Sequence, residues 1–121
     1  MAQTTRVAPM NSIVFVEDQG GGEGPEPVWG ASILATDSCI SVACFPEVDG
    51  ETTIVLGRVD EVDTGRKADF VGSIRTGKRN LVITMVDGTV ILQSIVPRTT
   101  TTIHIWRSHP RWPEEVVIGW S

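Results

Sequence analysis

Leu81-Val82-Ile83-Thr84-Met85-Val86-Asp87-Gly88-Thr89-Val90-Ile91-Leu92-Gln93-Ser94-Ile95 is the stretch that decides the fold class. Apolar and β-branched residues flank Asp87-Gly88, a dipeptide suited to the left-handed backbone of a tight hairpin turn. A turn on those residues fixes the register, because a slip of one residue moves every side chain to the opposite face. Leu81, Ile83 and Met85 then share a face with Val90 and Leu92. Val82 and Thr84 oppose Gln93 and Ile91, so the other face is half polar. Pro97 ends the second strand, having no N–H to give to a ladder.

The same alternation recurs on both sides of this hairpin. Strands are expected over 12–17, 28–35, 39–45, 52–62 and 68–75, and again over 103–106 and 115–120, with the four threonines 99–102 leading into 103. No segment longer than about ten residues carries apolar positions at helical spacing. The chain therefore reads as a single all-β domain spanning 1–121, an antiparallel β-sandwich or partly closed barrel of about eight or nine strands. Asp49-Gly50 is a second hairpin signal. It would pair Phe45 with Ile54, Cys44 with Val55 and Ala43 with Leu56, leaving both faces apolar and the hairpin central. Residues 1–11 are expected to be flexible. Residues 19–27, rich in Gly and Pro, form a mobile loop. The loop's acidic residues and prolines do not fit a phosphate-cradling P-loop, which needs Gly-Lys-Ser/Thr opening a helix.

The 121 residues are 40% hydrophobic and 21% charged, within the range of a globular domain that folds without disulfides or metal. No apolar run reaches the ~18–20 residues that span a bilayer. The first residues lack the charged-then-apolar pattern of an export signal. The net charge of −5 argues against nucleic acid or an anionic membrane as the main partner. The charge is unevenly spread: residues 1–64 carry 11 acidic and 2 basic side chains, and residues 65–111 carry 2 acidic and 8 basic. Strands that interleave would mix the two sets; otherwise the surface is polarised and steers charged partners.

Cys39 and Cys44 lie five apart in one expected strand, roughly 16 Å when extended, too far for a mutual disulfide. Unpaired thiols fit a cytoplasmic setting. They lack Cys-x-x-Cys spacing or a neighbouring His, so no metal is expected. No nucleophile motif such as Gly-x-Ser-x-Gly is present. No catalytic residue and no cofactor are assigned. His104, between two isoleucines, reads as a structural histidine. Asp60-Glu61-Val62-Asp63 departs from a calcium loop in its spacing and glycine placement, and reads as solvated charge.

Trp106 and Trp112 bracket Arg107, His109, Pro110 and Arg111. Trp and Arg are enriched at binding hot spots, so Trp106, Arg107, Arg111 and Trp112 are candidate protein-binding residues. The alternative is that the rings cap the core with the arginines stacked on them.

Trp29 and the run Ile33-Leu34-Ala35-Thr36-Asp37-Ser38-Cys39-Ile40-Ser41-Val42 resemble the early part of the competence protein J family. The run Val90-Ile91-Leu92-Gln93-Ser94-Ile95, then residues 102–110 and the closing strand, resemble its later part. The resemblance spans about residues 12–120. Residues 97–103 depart from it, with threonines where a Gly-containing turn is expected. The resemblance implies a small acidic β protein that inhibits a DNA-entry nuclease, and it carries over no individual inhibitory residue. Glu23, Glu26, Asp60, Glu61 and Asp63 would then supply the negative patch for a basic protein partner such as a nuclease. A structural subunit of a viral or other assembly, able to form homo-oligomers, is a second reading. A ligand-binding barrel or enzyme using His104 is a third.

Overall fold

Alternating residues of ten strands face one another across an apolar core in the computed structural model, which describes residues 2–28 and 30–121. The strands are β1 (Gln3–Val7), β2 (Ile13–Asp18), β3 (Ile33–Ala35), β4 (Cys39–Ala43) and β5 (Thr52–Arg58), then β6 (Phe70–Arg75), β7 (Asn80–Thr84), β8 (Val90–Ile95), β9 (Thr100–Arg107) and β10 (Glu115–Trp120). One sheet has the order β1-β5-β10-β9-β6 and the other β3-β4-β2-β7-β8. From the first sheet Ile54, Leu56, Ile103, Ile105, Val116 and Ile118 point inward, fully buried. Val14, Val16, Ile40, Val42, Leu81 and Ile83 answer them from the second. These β-branched and leucine side chains suit a pleated surface covered on one side.

The all-β sandwich is as the sequence indicates, and the sheets do not close into a barrel. Polar bridges link their edges. The Gln3 side-chain amide donates to the Gln93 carbonyl at 2.6 Å, and the Arg75 guanidinium meets the Asp37 carboxylate at 3.1 Å. One strand pair departs from the antiparallel expectation: β10 runs parallel to β5.

The decisive hairpin keeps its expected register over most of its length, with Leu81 opposite Ser94, Val82 opposite Gln93 and Ile83 opposite Leu92. The turn itself differs. Gly88 N–H donates to the Met85 carbonyl at 2.9 Å, Gly88 takes a φ of +87°, and a bulge moves Thr84 opposite Val90. A type I turn followed by a left-handed glycine absorbs the extra residue.

The expected Asp49-Gly50 hairpin is not formed. β4 pairs with β2 and β3, whereas β5 lies in the other sheet between β1 and β10. Residues 44–51 are a crossover between sheets, because both edges of each strand are already taken. The fourth expected strand stops at Arg58, and Val59–Val62 form a single helical turn, α1. The stretch 28–35 contracts to β3, and Trp29 lies outside the described residues. Within the lead-in expected to be flexible, Gln3–Val7 pair antiparallel with β5. Their polar sequence hid a strand at the sheet edge, where only alternate side chains meet the core.

Candidate functional site

Gly57 and Gly119 sit side by side on the parallel strands β5 and β10. A Cβ on Gly57 would lie 2.8 Å from a Val62 methyl, and one on Gly119 would lie 3.0 Å from a Val59 methyl. The missing side chains let α1 lie flat on the outer face of the sheet. Its acidic residues are fixed locally. The Glu61 carboxylate accepts from Arg58 N–H at 3.2 Å, and this hydrogen bond holds its carboxyl below the usual range. Asp60 meets the Arg58 guanidinium at 2.8 Å, and Asp63 accepts from Gly65 N–H at 2.8 Å.

Asp60, Glu61 and Asp63 therefore stand together at the end of the sandwich where β5 and β10 finish. Glu23 belongs to the same end. Its N–H donates to Ser38 Oγ at 2.9 Å, and its carbonyl accepts from Thr36 Oγ1 at 2.7 Å. Glu26 lies farther along the Gly/Pro-rich segment, where Pro25, Pro27 and Val28 pass over Ile13, Phe15 and Leu34. Basic groups intrude on this end: Arg58 on Asp60 and Arg75 on Asp37. The acidic first half and the basic second half thus interleave in part.

The Trp-Arg motif divides in two. Trp106 is buried on the outer face of the first sheet, its indole N–H donating to the Arg66 carbonyl at 2.8 Å. Arg107 is a clasp. Its backbone N–H donates to Asp69 at 2.7 Å, and its guanidinium donates to the Pro110 carbonyl at 3.0 Å and to Ser32 Oγ in the other sheet's approach. Burial works against ionisation of Asp69, but hydrogen bonds from Arg107 N–H and the Arg66 guanidinium hold its carboxyl below the ordinary value. Trp106 and the largely buried Arg107 side chain pack at the end of β9. Arg111 and Trp112 remain exposed, with the guanidinium carbon 5.2 Å from the indole centroid. His109 organises this loop: its Nδ1 accepts from the N–H groups of Arg111 and Trp112 at 3.1 and 3.0 Å.

His104 stacks on Trp106 at 5.9 Å, on the outside of a sheet. The two sheets do not close into a ligand-binding barrel around it. Cys39 and Cys44 are free and buried. Burial pushes both thiols up to about 12, with Glu17 adding to the effect at Cys39, so neither is an activated nucleophile. No group of three potential metal ligands occurs among the described residues.

The fold resembles that of ComJ. The crystal structure of ComJ, inhibitor of the DNA degrading activity of NucA, from Bacillus subtilis, superposes with a TM-score of 0.64. The match covers 98% of this chain and 93% of ComJ at 10% identity. Such identity shows a shared fold and leaves the surfaces to be argued separately. No protein-family model matches the chain, and no curated protein does.

Sequence reasoning missed three residues that the fold places near Trp112: Phe45, Asp49 and Glu114. Two of them lie in or next to the crossover read as a hairpin. Their meeting with residue 112 depends on β5 and β10 running parallel, for which no local sequence signal exists.

Proposed function

We propose that this protein is a non-enzymatic binding module that acts as an inhibitor-like partner of a basic protein such as a nuclease. The observation that carries this reading is the fold shared with a nuclease inhibitor over nearly the whole chain. The surface is consistent with it. Asp60, Glu61 and Asp63 project on a turn seated on paired glycines, Glu23 is anchored at the same end, and Glu26 lies along the covering segment. Fixed carboxylates complement a basic cleft and accelerate encounter. Arg111 and Trp112 add an aromatic–cationic contact.

The test is quantitative binding to a protein captured from the native host. Affinity is expected to fall at least about tenfold between about 0.05 and 0.5 M salt, because the Debye length shrinks severalfold. The triple variant Asp60→Lys, Glu61→Lys, Asp63→Lys is expected to weaken binding while keeping the β circular-dichroism spectrum. Binding indifferent to both changes contradicts the proposal.

A second reading, lateral self-assembly, is favoured by β8. This edge strand carries no charged residue or proline, and Ile95 is 74% exposed. Size-exclusion chromatography that gives a monomer up to millimolar concentration contradicts it; an oligomer dispersed by Ile95→Lys supports it.

A further inference from the structure

Phe45 and Trp112 face a cleft at the end of the sandwich opposite α1, where β5 and β10 begin. Pro46 and Asp49 complete one side of it, and Glu114 lines its continuation with His109. Both walls are built before any partner arrives. On one side Phe45 N–H donates to Thr52 Oγ1 at 3.0 Å, and Glu47 N–H donates to Ser12 Oγ at 2.9 Å. On the other side Ser108 N–H donates to the Glu115 carbonyl and Glu115 N–H to Ser108 Oγ, both at 3.0 Å. His109 fixes the turn that carries Trp112 and stacks near the indole, with ring centroids 6.1 Å apart and 7° between planes. Trp112 is nevertheless 52% exposed, and Val48 at the rim is 89% exposed.

The charge around the cleft is negative. Glu47, Asp49 and Glu114 lie on its two loops and Glu115 at the start of β10, against Arg111 and the Arg107 guanidinium held on the Pro110 carbonyl. Neither Asp49 nor Glu114 forms an ion pair among the described residues. The Arg111 guanidinium carbon lies 5.2 Å from the indole centroid, a placement set by its neighbouring position in the chain. A planar cation that stacks on an aromatic ring while hydrogen-bonding a carboxylate is the chemistry of an arginine side chain.

We propose that the Phe45–Trp112 cleft is a receptor for an arginine side chain of the partner protein, stacked on the indole and paired with Asp49 and Glu114. This rests on the binding-module reading and names the group recognised. The occupied end differs from that of α1, so the two surfaces are separable by mutation.

The test uses N-acetyl-arginine amide as probe, followed through the backbone and indole N–H signals of the full-length protein by NMR. Saturable shifts centred on residues 45–49 and 109–114 are expected, with a millimolar dissociation constant. N-acetyl-leucine amide should give none, and the citrulline analogue, which keeps the shape without the charge, should bind at least about fivefold more weakly. Asp49→Asn with Glu114→Gln should weaken arginine binding at least about fivefold, while Asp87→Asn, in the β7–β8 turn outside the cleft, should leave it unchanged. The neutral isosteric changes preserve the fold, which the unshifted remainder of the spectrum verifies. Absence of saturable shifts, equal response to the leucine or citrulline probe, or indifference to the Asp49 and Glu114 changes overturns the proposal. A failed titration alongside salt-sensitive partner capture removes only this cleft; loss of salt-sensitive capture removes the wider reading.

Discussion

Asp69 joins three segments through a single carboxylate. It accepts the Arg107 N–H at 2.7 Å and meets the Arg66 guanidinium at 3.3 Å, with the Arg107 Nε 3.8 Å away. Asp69→Ala leaves the largely buried Arg107 side chain without its carboxylate partner, and about 2–3 kcal/mol of stability should be lost in urea unfolding. The pH dependence follows from the lowered folded pKa. Asp69 contributes fully above the ordinary aspartate value of about 4, and the contribution is lost as pH falls through the folded value, because the unfolded chain then binds the extra proton. Wild type should therefore lose more stability than Asp69→Asn between about pH 5 and pH 2. Equal losses contradict the assignment. At the two cysteines, burial predicts that a thiol reagent such as DTNB at pH 8 labels neither side chain until denaturant is added.

Among the elements, α1 depends on what β5 and β10 lack. Gly119→Val places methyl groups where Val59 and Val62 approach within 3.0 and 3.1 Å of a Cβ. Unfolding free energy should fall by about 1–3 kcal/mol, and the Asp63 amide, bonded to the Val59 carbonyl, should exchange faster. Unchanged exchange means the turn does not rest on this glycine. The hairpin β7–β8 and the closing strand β10 were legible in the sequence because alternation, turn residues and a terminating proline agreed. The Asp49-Gly50 signal misled because turn chemistry is local, whereas the choice of sheet is made by partners elsewhere in the chain. β1 was hidden for the complementary reason: an edge strand needs few apolar residues. The acidic residues of α1 were legible as a cluster. The division of the Trp-Arg motif was not, since whether Trp106 is covered depends on where the 63–69 segment folds back.

For the whole molecule, two separate ends follow from the parallel β5–β10 pair. One end presents α1 and the Glu23 anchor, with basic residues among them. The other gathers Glu47, Asp49, Glu114 and Glu115 around Trp112. Seven extended residues put the ends roughly 20 Å apart, within the span of one interface of ordinary size. Negative charge is thus carried at both ends of the sandwich. On the proposed reading, outward-facing charge on this sandwich performs the function. The most direct measurement is the dissociation constant of the captured partner at low and high salt, for wild type and for the Asp60→Lys, Glu61→Lys, Asp63→Lys variant. Tight, steeply salt-sensitive binding by the wild type and weaker, flatter binding by the variant are expected. Equal affinities at both salt concentrations and for both proteins would contradict that reading.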